Sequence, residues 1–164
     1  MRSLAGQASR GQEDRLWFCD GEPTELQALI DRSRWRACDS RARKNAVWKL
    51  YKFRLRDTAL TPTEKLVLWA ICDTFNTKEG CSRLTQTGIA DVVGVHRSAA
   101  HRAFKHLLHK NIIWVFASGM TARDPATWQE FMANNVGKPE HKNKARFVTL
   151  VGLNQCLDRV EEHG

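Results

Sequence analysis

The residues best suited to chemistry lie between Thr85 and Leu108, where cationic and small polar side chains recur at helical spacing. This stretch has the pattern of two short helices joined by a tight turn, because Thr85 can cap the first helix and Gly94 can end it in the left-handed conformation. One face of the second helix is apolar, and the polar face carries Ser98, His101, Arg102, Lys105 and His109, with Arg97 beside it in the first turn. No acidic residue occurs from Val92 through Arg123. Such a face suits a groove lined with phosphates.

The alternative interpretation is a solvated surface helix, but such helices normally mix Glu with their Lys and Arg. We therefore expect the second helix to enter the major groove of double-stranded DNA, where Arg97 or Arg102 can bond a guanine edge bidentately. The predicted base-reading residues are Arg97, Ser98, His101, Arg102 and Lys105. Thr85, at the start of the first helix, is predicted to contact a phosphate.

The charge of the chain also points to a polyanionic partner. Its 26 Lys and Arg against 18 Asp and Glu give a net charge of +8. The positive charge is concentrated in residues 32–56 (+9), 96–110 (+4) and 136–147 (+3), and the remainder carries −8. In the first block the cations interleave with aromatic residues, a pattern that can serve a nucleic-acid surface. Arg41, Arg43 and Lys44 are the phosphate contacts predicted there.

The same block has a second interpretation, which can hold together with the first. Val47, Leu50, Tyr51 and Leu55 lie at helical spacing. They can form the core-facing stripe of a helix whose outer face is basic. In that case the apolar side packs on protein and the basic side faces the DNA backbone.

Composition and periodicity divide the chain into four segments. We expect a mobile tail over residues 1–14, a basic extension over 15–56, a DNA-binding domain over 57–152 and a C-terminal helix over 153–164 that serves packing or dimerisation. In the extension, Leu26, Leu29 and Ile30 share one face of a predicted helix within residues 23–33. This extension either packs on the core or serves as a partner-binding arm.

Further elements must position the two short helices. Thr61, Pro62 and Glu64 form a capping box, which predicts a helix from there to about Phe75. The continuous apolar run over residues 66–72 predicts that this helix is buried on most sides. Residues 76–80 read as a turn, and residues 81–84 as a short strand.

Two β-prone runs, residues 112–116 and 146–151, follow the two short helices and predict a wing that flanks the DNA groove. The long connection between them includes a predicted helix that begins at Asp124 and Pro125, with Trp128, Phe131 and Met132 on one face. Its basic tip, residues 138–144, is either a flexible loop or a phosphate contact through Lys138, Lys142 and Lys144. The predicted fold class is therefore mainly α with a small β wing.

Residues 60–113 resemble the winged helix-turn-helix domains of phage and plasmid proteins, including the N-terminal origin-binding domain of the lambdoid phage replication protein O. The matching stretches are LTPTEKLVL, LTQTGIADVVGVHRS and HLLHKNII. The resemblance implies a winged helix-turn-helix with an N-terminal helical extension and an elaborated wing, and DNA recognition by the helix that begins near Arg97. This chain differs from the pattern in having His96 where such proteins often have a capping Ser, and in the insertion within the wing.

These features lead us to expect a sequence-specific transcription regulator, usually a homodimer. A phage or plasmid replication initiator is a first alternative, and it requires a helicase or loader as partner. The second alternative is a winged-helix protein that binds and inhibits a nucleic-acid enzyme.

Enzymatic chemistry is not expected, because no nucleophile with a base, paired carboxylates or phosphate-binding loop occurs at a diagnostic spacing. We expect no metal and no cofactor, since His106 and His109 lack an evident third ligand. The five cysteines show no CxxC pair, and the sequence shows no signal peptide and no apolar run of membrane-spanning length. These features predict reduced thiols, a cytoplasmic location and no membrane association.

A pH dependence follows from the histidines of the predicted reading helix. His96, His101, His106 and His109 lie in or just before it, so protonation near pH ~6.5 would raise its positive charge. We expect DNA affinity to strengthen as the pH falls. Titrations at about pH 6 and about pH 8, on either side of the histidine pKa, test this expectation, and equal affinities would contradict it.

Overall fold

The computed structural model describes residues 32–78, 80–117, 120–122, 124–135 and 147–157, and all structural statements below concern these residues. The chain is mainly helical with one small antiparallel sheet, which confirms the expected mainly α class with a small β component. The elements are α1 (Arg32–Ala37), α2 (Ser40–Leu55), α3 (Pro62–Asp73), α4 (Gln86–Val93), α5 (Arg97–His109), β1 (Ile113–Ala117), β2 (Met120–Ala122), α6 (Pro125–Asn135) and β3 (Phe147–Leu150). A further helical turn covers residues 153–157. None of the helices in this part of the chain is long and apolar enough to cross a membrane.

Helix α3 is the central element, since α2, α4 and α5 all pack against it. It begins where the capping box predicts: the Thr61 Oγ1 atom accepts a hydrogen bond from the Glu64 backbone N–H. The helix ends at Asp73, two residues before the predicted end. Val67, Leu68 and Ile71 are buried.

The prediction that α3 is buried on most sides is wrong at Leu66 and Trp69, whose side chains are 45% and 36% exposed. These two residues are three positions apart and therefore lie on the same side of the helix. The three neighbouring helices leave that side of α3 uncovered, which the apolar run alone cannot reveal.

Helices α1 and α2 attach the basic block to the core. The Trp35 side chain is fully buried, and its Nε1 atom donates a hydrogen bond of 2.7 Å to the Thr77 carbonyl oxygen. On α2, Val47 and Leu50 are buried as predicted, but Leu55 is 42% exposed. Leu55 lies five residues after Leu50, about 140° around the helix from it, and so leaves the buried face. The core-facing stripe is therefore confirmed for the middle of α2 and wrong at its last turn.

The sheet has the strand order β2, β1, β3, with both pairs antiparallel. The two predicted strands pair with each other, Ile113 opposite Leu150 and Phe116 opposite Phe147. Strand β2 was not predicted, because three residues are too few to show an alternating pattern. The predicted strand over residues 81–84 is reduced to isolated bridges, in which Ser82 and Val148 exchange two backbone hydrogen bonds of 2.8 Å.

Helix α6 lies in the insertion between β1 and β3 and packs on α5. Its start is fixed by a reciprocal cap: Asp124 Oδ1 accepts from the Thr127 backbone N–H at 2.9 Å, and Thr127 Oγ1 accepts from the Asp124 N–H at 3.1 Å. The buried Trp128 ring contacts the rings of Phe104 and His101, at centroid distances of 5.5 and 6.0 Å. The predicted helix of the insertion is confirmed, and it supports α5 from the side.

A buried carboxylate joins the start of α3 to the end of α5. The Glu64 side chain is 1% exposed, and its carboxylate accepts hydrogen bonds from Lys110 Nζ and from Thr61 Oγ1. Lys110 Nζ also donates to the Ala59 carbonyl oxygen at 2.7 Å, and His106 Nδ1 lies 3.6 Å from Glu64 Oε2. Burial by itself raises the pKa of the Glu64 carboxyl, but the hydrogen bonds from Lys110 and Thr61 and the charges of Lys110 and His106 outweigh it. The pKa of Glu64 therefore lies below its ordinary value.

We expect Lys110→Met to lower the free energy of unfolding by about 3–5 kcal/mol, because it leaves a buried carboxylate without its cation. Lys105→Met, the same substitution five residues earlier on α5 at a site with no ion pair in the described structure, should cost within about 0.5 kcal/mol. Urea unfolding followed by circular dichroism at neutral pH measures both. Equal losses in the two variants would show that the buried pair does not stabilise the fold.

The lowered pKa of Glu64 also predicts a pH dependence of stability. The stabilisation is complete above the unfolded-state pKa of about 4.3 and is lost as the pH falls through the lower folded-state pKa. Glu64→Gln carries no titrating group at this site, so its unfolding free energy should fall less steeply below about pH 4.3 than that of the parent chain. Parallel acid unfolding curves for the two proteins would contradict this.

Candidate nucleic-acid interface

The first turns of α4 and α5 open onto one groove, to which α6 contributes Met132. The groove has a volume of about 680 Å³ and is lined by Thr85, Gln86, Thr87, His96, Arg97, Ser98, His101, Arg102 and Met132. Because the amino end of a helix carries a partial positive charge and unpaired N–H groups, two such ends favour an anion in the groove.

The sequence around α4 fixes its start and its end as predicted. Thr85 Oγ1 accepts a hydrogen bond of 3.0 Å from the Gly88 backbone N–H. Gly94 ends the helix with a φ angle of +71°, in the left-handed region where a side chain is strained. Only Val95 and His96 then separate Gly94 from the first residue of α5. This short connection fixes α5 close to α4.

His96 replaces the usual capping hydroxyl at the start of α5. Its Nδ1 atom accepts a hydrogen bond of 3.1 Å from the Ser98 backbone N–H and lies 2.8 Å from Ser98 Oγ. As the acceptor, Nδ1 carries no proton, so the cap requires the neutral ring. Protonation of Nδ1 removes the acceptor and weakens the start of α5. This effect opposes the stronger DNA binding that the sequence predicts from the added positive charge.

The groove brings together three of the predicted base-reading residues in exposed positions: Arg97, Ser98 and Arg102. His101 is half-buried, and its Nδ1 atom lies 2.8 Å from Gln86 Oε1 while its ring contacts Trp128. His101 therefore connects α5 to both α4 and α6. Lys105 is half-buried further along α5 and does not line the groove.

The predicted phosphate contacts are distributed differently. Thr85 lines the groove, whereas Arg41 and Lys44 are exposed on α2, which packs on α3 and makes few contacts with α4 or α5. Arg43 is engaged, since its Nε donates to the Trp35 carbonyl oxygen at 2.8 Å and its Nη2 to the Arg36 carbonyl oxygen at 3.2 Å. The block on α2 is thus not part of the groove.

Several other predictions lie outside the described residues. These are the phosphate contacts Lys138, Lys142 and Lys144, the tail over residues 1–14, and Val160 of the C-terminal helix. Of the helix predicted within residues 23–33, only the last two residues are described.

Gln86, Thr87 and Met132 line the groove but were not predicted as site residues. Gln86 occupies the first position of α4, and its Nε2 atom is buried without a hydrogen-bond partner among the described residues. Its contact with His101 joins residues 15 positions apart, which no local sequence pattern indicates. Met132 belongs to the segment between β1 and β3, and it lines the groove on α6, the helix whose Trp128 contacts Phe104 and His101 on α5.

The groove is cationic and suits an anionic ligand. Among the described residues, neither the lining of the groove nor α5 includes a carboxylate, and Arg97 and Arg102 are the permanent charges of the lining. In the described ranges, no cluster of His, Cys, Asp and Glu side chains could hold a metal ion. Comparisons of the chain with protein-family models, with curated proteins and with solved structures found no match.

Proposed function

We propose that the chain is a sequence-specific double-stranded DNA-binding protein of the winged helix-turn-helix type, acting as a transcription regulator. The observation that carries this proposal is the groove at the start of α5. Arg97, Ser98 and Arg102 are exposed there beside the amino end of α4, and the described lining residues include no carboxylate. A cationic helix start of this kind matches the docking geometry of a recognition helix.

In this proposal α5 enters the major groove, whose width of about 12 Å admits one helix. Arg97 or Arg102 donates two hydrogen bonds to the O6 and N7 atoms of a guanine. The amino end of α4, with the hydroxyl of Thr85, holds a backbone phosphate and fixes the register of α5 on the duplex. The base contacts give specificity, and the phosphate contacts give affinity.

The β1 and β3 pair supplies the wing in the same proposal. The chain between α6 and β3 includes Lys138, Lys142 and Lys144, which we assign to phosphates next to the major groove. Contacts of this kind strengthen binding to all sequences and make it sensitive to salt.

A cytoplasmic site of action is part of the proposal. Cys72 is a buried, free thiol in the described structure. A reduced cysteine agrees with a reducing compartment such as the cytoplasm.

The direct test is selection of bound sequences from a random duplex pool at near-physiological salt, with the mass of the protein in solution measured alongside. A transcription regulator should enrich a palindromic site and have a dimeric mass, since two-fold proteins read two-fold sites. Asymmetric or repeated sites would instead support an origin-binding initiator. Failure to enrich any sequence would contradict the DNA-reading proposal.

Arg102→Ala tests the proposed base contact within the selected site. We expect a loss of about 1–3 kcal/mol in binding to the cognate site, together with relaxed preference at one base pair, because a bidentate contact is removed. Lys78→Ala is the matched control, since it removes one exposed cation outside the groove. Binding titrations against single-base variants of the site measure both effects. An unchanged base preference in Arg102→Ala would exclude Arg102 as a reading residue.

A further inference from the structure

The outward sides of α2 and α3 form a second surface that the proposed DNA contact does not use. Leu66 and Trp69 are exposed on one side of α3. Helix α2 lies next to this part of α3, because Tyr51 Oη donates a hydrogen bond of 3.4 Å to the carbonyl oxygen of Lys65, the residue before Leu66. Leu66 and Trp69 lie one turn apart on α3, so together they form an exposed apolar patch that calls for an explanation.

The outward side of α2 combines apolar and cationic residues. Arg41, Trp48, Lys52 and Leu55 are separated by seven, four and three positions, so they lie along one side of the helix. Trp48 is half-buried against Tyr51 at a ring distance of 5.6 Å, and the other three are exposed. We call these four residues, with Leu66 and Trp69, the outer α2–α3 face. Helix α2 has no acidic residue, so its cations are not balanced along the helix.

The residues that directly precede α1 have the complementary composition. Residues 13–31 include six acidic residues and one Arg. They also include the apolar run Leu16, Trp17 and Phe18, and the stripe Leu26, Leu29 and Ile30. The segment is therefore acidic and apolar, as an occupant of the outer α2–α3 face needs to be.

The position where this segment joins the described structure places the face within reach. Helix α1 is fixed by Trp35, whose Nε1 atom bonds to the carbonyl oxygen of Thr77, four residues after the end of α3. Nineteen extended residues span on the order of 60 Å. The twelve residues of α3 are about 18 Å long. The length of the segment therefore does not limit its access to any part of the face.

We propose that residues 13–31 bind to the outer α2–α3 face of the same chain. Their apolar side chains cover Leu55, Leu66 and Trp69, and their carboxylates lie against Arg41 and Lys52. Two other occupants fit less well. DNA would neutralise the cations but leave the apolar side chains uncovered, and a second copy of this face would bring two basic α2 helices together. In this arrangement Arg41 serves an intramolecular contact and not the DNA phosphate for which the sequence suggested it.

Carbodiimide cross-linking of the 164-residue chain without DNA tests the proposal, because the reagent joins a carboxylate to a nearby lysine amine. An equal mixture of unlabelled and ¹⁵N-labelled chains at low concentration distinguishes links within one chain from links between chains. We expect links within one chain, from acidic residues of the segment 13–31 to Lys49 or Lys52. Links mainly between differently labelled chains, or from this segment mainly to Lys105 on α5, would overturn the proposal.

Charge reversal on each side makes the test specific. Arg41→Glu should lower the yield of these links about threefold or more, because an attraction becomes a repulsion. Reversing Glu22 and Glu25 together to Lys should lower the yield from the remaining acidic residues in the same way, and combining both changes should restore part of it. Arg102→Glu is the matched control on α5 and should leave the yield unchanged. Circular dichroism verifies that each variant is folded, and equal yields in Arg41→Glu and Arg102→Glu would overturn the proposal.

Discussion

The position of α5 depends on its packing against α3 and on the buried carboxylate of Glu64. Leu107 and Leu108 are fully buried at the carboxyl end of α5, where Lys110 closes the helix with its ammonium group on Glu64. In the described structure, no ion pair ties the amino end of α5 to α3, and this end opens to solvent in the groove. One end of the helix is therefore fixed in the core, so that the other can present arginines at a defined position.

A second set of contacts fixes the amino end of α5 from the side. His101 contacts Gln86 on α4 and Trp128 on α6, and Phe104 contacts Trp128 one turn later. These contacts join three helices. Two of them, α4 and α5, are the two short helices that the sequence predicts. The third, α6, comes from the insertion. What the resemblance treats as an elaboration of the wing is thus a structural support for the candidate site.

The sequence predicted the features that depend on residues close together in the chain. The caps at Thr61 and Thr85 and the left-handed Gly94 each depend on residues no more than four positions apart in the sequence. The structure has all three. The exposure of Leu55, Leu66 and Trp69 was not predictable, because it depends on which sides of α2 and α3 the other helices cover. The contact of Gln86 with His101 and the position of Met132 depend on tertiary packing in the same way. The DNA-reading roles of Arg97, Ser98 and Arg102 stay predictions, although the groove brings these three side chains together.

The topology of the sheet has a consequence for how such a protein can diversify. Strands β1 and β3 are hydrogen-bonded neighbours, so the chain leaves the sheet and returns to it at adjacent positions. An excursion between two such points can lengthen, shorten or be exchanged without breaking the β1–β3 pair, provided that Trp128 keeps its contacts with His101 and Phe104 on α5. Because this excursion places Met132 in the groove, position 132 can change the lining of the groove while Trp128 keeps α6 in place on α5.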